Sequence, residues 1–527
     1  MLKFLSWKGN TGIDADLPSQ SFKDFVLGSR RHRIILWISA ALIIIQFGVF
    51  KYFYPYAGFI HGDSFNYLNS AYQNLDVNTY MIGYAKFLRL FSVFTSSDFA
   101  LVTFQYLFIH ASGLFLLFTL FYFYQPGKVM QIILLVFFVL NPLFLYMANY
   151  VSSDGFFLAL SLTWFAWLLW IMYKPTKKLI IWHAVLLFVT FTVRYNALIY
   201  PLIAVLAFAL SPLSLRRKIM GAGLAISLVG CFVLYTCYRY KQITGYWQYA
   251  PFSGWQLANN AMYTYRYVAN ENRKPVPKRL KSLNDMVNKY FDTTRNIEKY
   301  PVETLQASTV YMWDIRISPL YKYREKIFKN DSTATELKKW ASMGPLYKEY
   351  GIYTIKQYPL KYLKYFVWPN ARKYYAPPVE FLAAYNSGKD STAKIGQIWF
   401  KYNSTKLAVR TKNKSVKILD FYPILSGITN LAILFMLVCF KVLKAIDTTN
   451  VFRKGIVLGS SLWLINAVFT IFASSAALRF QAFPVALSFI FMLLLVDWLS
   501  NIAFRTKNNI GSLESISKGA SIENVIC

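Results

Sequence analysis

Cysteine is scarce here, and it is badly placed for a framework. The 527-residue chain has four: Cys231 and Cys237 in one apolar run, Cys439 in another, and Cys527 at the last position. None falls in the long hydrophilic stretch 239–419, which excludes a disulfide scaffold or a Cys-based metal site there. Acidic residues are also few, with 24 Asp and Glu against 57 Lys and Arg and only 15% charged residues overall. The signatures of soluble enzymes are missing. There is no P-loop, no Rossmann glycine pattern, no His-Glu-x-x-His and no Gly-x-Ser-x-Gly. No internal repeat stands out. No cleavable signal peptide is evident, because about 30 mostly polar residues precede the first apolar run, which is expected to act as an uncleaved signal anchor.

The chain is instead 56% hydrophobic and 19% aromatic. Arranged in long runs, that composition predicts an all-α polytopic membrane protein. We read about ten spans, near 34–53, 99–123, 129–147, 156–172, 179–192, 197–210, 219–238, 421–439, 456–474 and 483–499. The fifth and sixth are short. One helix from 179 to 210 would be about 48 Å long, too long for one crossing, so a turn is expected at Val193-Arg194-Tyr195-Asn196. Asn141-Pro142 should kink the third span. The net charge of +33 sits beside apolar spans. It therefore points to anionic lipid headgroups or phosphorylated substrates rather than to nucleic acid.

Lys and Arg in short loops set the expected orientation. Arg30-Arg31-His32-Arg33, Lys174 with Lys177-Lys178, Arg216-Arg217-Lys218 and the loop 441–454 form one basic set, expected to be cytoplasmic with both termini. The division that follows has a cytoplasmic segment 1–33 and a seven-span module 34–238 whose first external loop is 54–98. An extracytoplasmic, mostly helical region 239–419 comes next, then a three-span module 420–499 and a cytoplasmic tail 500–527. Within the external region, 280–291 and 337–366 carry helical spacing, the latter interrupted by Pro359. Its helices lie either on the outer leaflet or around a small core of their own. The Ser/Asn-rich tail after Lys507 reads as unordered.

With so few acids, an acid at a span end is informative. His61-Gly62-Asp63-Ser64-Phe65-Asn66-Tyr67 follows the first span, and Ser152-Ser153-Asp154-Gly155 opens the fourth. Both fall on the outer side, as do Arg194 in the turn between the short spans and Arg479 at the start of the last. Ionisable groups so close to hydrocarbon are functional-site candidates. The bland alternatives are helix capping for the two acids and snorkelling to lipid phosphate for the two arginines. The functional alternative is a carboxylate site facing a charge-assisted grip on a phosphate. Asp98 reads only as a cap. His61 could help position an acceptor, and His110 and His183 read as packed polar residues.

This arrangement resembles the GT-C superfamily of integral-membrane glycosyltransferases, nearest those related to protein O-mannosyltransferases and aminoarabinose lipid A transferases. The residues that carry the resemblance are Gly62-Asp63-Ser64 with Tyr67, Ser153-Asp154-Gly155-Phe156-Phe157, Thr192-Val193-Arg194-Tyr195-Asn196-Ala197, Arg479-Phe480 with Pro484, and the segments Phe252-Ser253-Gly254-Trp255-Gln256 and Ala258-Asn259-Asn260-Ala261. They span roughly the first 270 residues and the last span. Protein mannosyltransferases carry adjacent acids after the first span, whereas Ser64 follows Asp63 here. No motif can be placed in 273–417.

The resemblance implies a polyprenyl-phosphate-linked sugar donor and reaction on the extracytoplasmic side. A phosphate leaving group needs no general acid, so one carboxylate suffices as general base, a role assigned to Asp63. Arg194 and Arg479 would stabilise the departing phosphate, with Tyr67 and His61 lining the substrate site. Asp154 would orient the acceptor, or hold a divalent cation if one is used. The expected outcome is inversion, with a protein, lipid or glycan acceptor. The expected location is a bacterial plasma membrane. The main competing expectation is a transporter or flippase of a lipid-linked or anionic substrate, which should show repeats and mid-membrane polar residues. A polysaccharide ligase or polymerase and a non-catalytic scaffold are further alternatives.

Overall fold

The computed structural model describes residues 17–411 and 414–523, with side chains described through residue 503. Among these residues there is no strand, only helices and three isolated bridges. Among the described residues, eight helical stretches are long and apolar enough to cross a membrane, which makes this a multi-pass membrane protein. They are α1 (Arg30–Phe53), α4 (Asp98–Tyr124), the broken helix of α5 (Lys128–Val139) and α6 (Pro142–Asn149), α7 (Ser153–Tyr173), α10 (Leu215–Thr244), α20 (Tyr422–Val442), α21 (Asn450–Ala473) and the first half of α22 (Leu478–Glu523). The α5–α6 break falls at Asn141-Pro142 as predicted, and the Asn141 side chain caps the new helix by accepting from Phe144 N at 3.2 Å.

The two remaining apolar runs are the short ones. Helix α8 (Lys177–Val193) has 17 residues and α9 (Tyr200–Leu210) has 11, joined through Arg194 and a 3₁₀ turn at Tyr195–Ile199. Their length explains the difference between the eight long spans and the ten read from sequence, since a crossing needs about 20 residues. Burial separates the helices into an inner and an outer set. Helices α4 and α7 are buried on nearly every side, whereas α1 and α20 leave Ile38, Ile44, Ile424, Ile428 and Leu431 open on one face. An apolar exposed face on a long helix is suited to lipid.

The loop after α1 carries two amphipathic helices, α2 (Asp63–Tyr72) and α3 (Gly83–Ser92). After α10 the chain runs through α11 (Pro251–Tyr265), α12 (Lys278–Thr294), α13 (Val310–Trp313), α14 (Pro319–Ile327), α15 (Glu336–Ser342), α16 (Gly344–Gln357), α17 (Pro359–Tyr362), α18 (Trp368–Tyr375) and α19 (Lys394–Phe400). The break before Pro359 falls where its ring forbids continuation. Helices α11 to α17 close over a core of their own, with Trp255, Leu280, Val287, Met312, Tyr347 and Phe366 at its centre, whereas Tyr374 of α18 packs with Ala467 and Ala476, and Phe400 of α19 joins the core of the long helices. One expectation needs correction: the helical backbone of α22 continues to Glu523, well past Lys507.

Candidate functional site

Asp63 and Asp154 meet because two chain segments pair. Gly58 N donates to Asn149 O at 2.9 Å and Val151 N donates to Gly58 O at 3.0 Å, an isolated parallel bridge. A Cβ on Gly58 would lie 2.8 Å from the Tyr150 ring, so only glycine allows this approach. The loop continues to Gly62, whose φ of +92° turns the chain into α2. Asn386 accepts from Phe59 N at 3.0 Å and Ser387 accepts from His61 N at 3.2 Å, bracing the loop from the opposite side.

Neither acid is a helix cap. Gly62 occupies the cap position of α2 without a side-chain bond, and Ser152 caps α7 by accepting from Asp154 N at 3.2 Å. The carboxylates are therefore free for other partners. Asp63 Oδ2 lies 2.7 Å from Arg479 Nη2, and its Oδ1 accepts from Tyr80 Oη at 2.7 Å. Asp154 is paired with Arg194 through Oδ1, lies 3.5 Å from Arg479 Nη1, and accepts from Ser152 Oγ at 2.7 Å. Arg194 also donates to Ser153 Oγ at 3.2 Å, which in turn bonds Tyr67 Oη at 2.9 Å.

Exposure divides the roles. The Asp154 side chain is 3% exposed and that of Arg479 is 5%, whereas Asp63 retains 21%. Two arginines and two carboxylates balance in charge, which a buried ionic cluster requires. Asp63 is the open one of the two carboxylates, and Arg194 is the more open of the two arginines at 14%. Arg479 lies between the rings of Phe381 and Phe480, 4.3 and 4.4 Å from their centroids, and its buried Nε has no partner. Neither arginine snorkels outward, since both turn inward to Asp154. Burial drives the Tyr67 hydroxyl up to about 12, with the nearby Arg194 charge pulling partly back. Burial and the Asp63 charge raise Tyr80 as well, so both remain hydroxyl donors.

His61 stands apart from this cluster. Its ring packs edge-on against Phe65, its Nε2 is unpartnered, and burial followed by the Lys389 charge lowers its pKa. Asp98 is not the cap read from sequence. Ser97 caps α4, and Asp98 Oδ2 instead accepts from Ala57 N at 2.7 Å, anchoring the same loop. No group of three or more His, Cys, Asp and Glu in metal-holding reach occurs among the described residues. The Arg479 guanidinium lies between the two carboxylates.

A narrow, mostly apolar groove with about 20 Å³ of accessible interior begins at the edge of the cluster. Phe157 and Phe480, which face the Arg194 guanidinium at 5.9 and 5.1 Å, also line this groove, with Tyr200, Leu462, Phe483 and Leu487. Tyr80, Phe381 and Asn386 carry no sequence signal of their own. Only the position of Tyr80 in the same loop as Asp63 could have drawn notice. No family model, no curated protein and no solved structure matches the chain.

Proposed function

We propose that this protein is a membrane glycosyltransferase of GT-C type that moves a sugar from a polyprenyl-phosphate donor to an acceptor hydroxyl. The observation that carries the reading is the junction of an arginine–carboxylate cluster with an apolar groove among the long helices. A ligand suited to both has an anionic head and a hydrocarbon tail, as a lipid-linked phosphate does. All four charged groups gather at one end of the spans rather than along a path through them, which favours transfer over transport.

In this reading the acceptor oxygen attacks the anomeric carbon as the bond from that carbon to the phosphate oxygen breaks. The acceptor proton passes to Asp63, and the electron pair leaves with polyprenyl phosphate. Direct displacement inverts the anomeric centre. Asp63 keeps lone pairs for the acceptor, because Tyr80 and Arg479 each occupy one site on a carboxylate that offers about four. Arg194, whose side chain retains 14% exposure, is the group suited to charge gathering on the leaving phosphate, with the buried Arg479 charge behind it. Asp154 holds the two arginines in position rather than touching the acceptor. The location implied is the outer face of a bacterial plasma membrane, with both termini cytoplasmic.

The test is release of free polyprenyl phosphate by the purified chain from a panel of polyprenyl-phosphate sugars, with cell-envelope extract as acceptor. Release is expected from the native chain and not from a folded Asp63→Asn variant. Equal release from both would remove Asp63 from the chemistry, and silence with every donor would remove the activity.

A further inference from the structure

Beside Asp63 stands a set of rings that the cluster itself does not use. Tyr80, the donor to Asp63 Oδ1, has its ring centroid 5.8 Å from that of Trp313 and 6.5 Å from that of Phe252. Trp313 and Phe252 are themselves 6.0 Å apart, and all three rings are half-buried. Behind them Trp340 lies nearly parallel to Trp313, at 6.3 Å and 5°. Tilted 51–52° to one another, the three rings offer half-buried apolar faces beside the open carboxylate, the mixture of apolar wall and few polar groups that ligand sites present.

The region 239–419 holds Trp313 firmly. Glu303, fully buried, pairs with Arg266 at 2.8 Å and accepts from Tyr311 Oη at 2.5 Å, fixing the segment just before Trp313. Ser475, four residues before Arg479, donates to Ala307 O at 2.9 Å. The segment bearing Trp313 is thus tied to the loop that leads into α22 and Arg479. A rigid aromatic face loses little entropy on binding.

We propose that Trp313, Phe252 and Tyr80 form a stacking platform for a pyranose ring, whose apolar C–H face lies on the rings while its hydroxyls reach the Asp63 edge. The proposal rests on the transfer reading of the Asp63 site. A pyranose is the class that fits, because it presents an apolar face and a polar rim on one small body. The ring belongs either to the donor sugar or to a glycan acceptor.

The experiment is saturation-transfer NMR on the full chain in a phosphocholine detergent, which carries no sugar. Methyl pyranosides of glucose, galactose, mannose and N-acetylglucosamine are the probes. At least one is expected to bind saturably, about tenfold or more weaker to Trp313→Ala and nearly unchanged to Trp313→Phe. Absence of saturable binding by all four, or native-like binding by Trp313→Ala, would overturn the platform. If Trp313→Ala does not fold, Phe252→Leu decides by the same criterion. Glycoside binding is measured on the native chain with no donor present and needs no transfer step, so failure of transfer and failure of the platform are read separately. Competition by a polyprenyl-phosphate sugar but not by polyprenyl phosphate assigns the ring to the donor, and no competition assigns it to the acceptor.

Discussion

Arg479 reaches Asp63 at 2.7 Å while its other terminal nitrogen faces Asp154 at 3.5 Å, so one guanidinium spans both acids. A lysine at this position keeps the charge but offers a single ammonium in place of the planar fork. Arg479→Lys is therefore expected to lower polyprenyl phosphate release by about 10²- to 10³-fold, the usual effect of losing one electrostatic donor. Asp63→Asn should lose about 10²- to 10⁴-fold, as for a general base. Since the two groups act as a unit, the double variant should be little worse than the poorer single one. Fully multiplicative losses would show instead that they act independently.

Asp154 is expected to matter first for stability. Replacing it by Ala leaves two guanidinium groups without their shared buried partner, which costs about 3–5 kcal/mol. Chemical unfolding in detergent should show this loss, and Asp63→Asn, whose side chain is more open, should lose less. An Asp154→Ala variant as stable as the native chain would mean that the arginines have other partners to turn to.

Alkali offers a separate probe of the same site. Tyr67 titrates ordinarily near 10.0 and is held up to about 12 in the fold. A raised folded value means that the native state keeps the proton longer, so stability is intact below 10 and falls as pH rises from 10 toward 12. Over that window Tyr67 should cost on the order of 2 kcal/mol. Tyr67→Phe should be less stable at neutral pH by about 0.5–1.5 kcal/mol, for the lost bond to Ser153, yet decline less steeply above pH 10. Thermal midpoints measured against pH separate the two effects, and parallel curves for both chains would contradict the assignment.

The four charged residues were legible because ionisable groups at span ends are costly and few. What the sequence could not decide was where they point. Capping competes with a functional reading for Asp63 and Asp154, and snorkelling for the arginines; the structure decides because Gly62 and Ser152 hold the cap positions. Those choices depend on the Gly58–Tyr150 bridge, a contact between distant segments that no local pattern encodes. The same holds for Asn386, which reaches Phe59 from more than 300 residues away, and for Phe381, which meets Arg479 from about 100 residues away, both in a region without motifs. Hydropathy located the long spans but could not tell a crossing from a short apolar helix at α8 and α9.

Glu303 is the group on which the segment before Trp313 hangs. Removing its charge in Glu303→Gln leaves Arg266 buried without a counter-charge, at about 3–5 kcal/mol. That loss should appear locally, as faster amide exchange over residues 303–313 at denaturant levels that leave α4 and α7 protected. Uniformly faster exchange would mean that the pair stabilises the whole fold rather than this segment.

The groove makes a prediction about donor length. If Phe157, Leu462, Phe483 and Leu487 receive the prenyl chain, each methylene they bury contributes about 0.8 kcal/mol. Donors shortened within the groove should therefore bind progressively more weakly, while donors differing only beyond it should bind alike. The break should appear in KM and not in kcat, because the chain makes the same contacts in the bound substrate and in the transition state. Donors of two, five and eleven isoprene units would locate that break. A KM independent of chain length would separate the groove from the donor and leave the Arg194 and Arg479 grip to account for all of its binding.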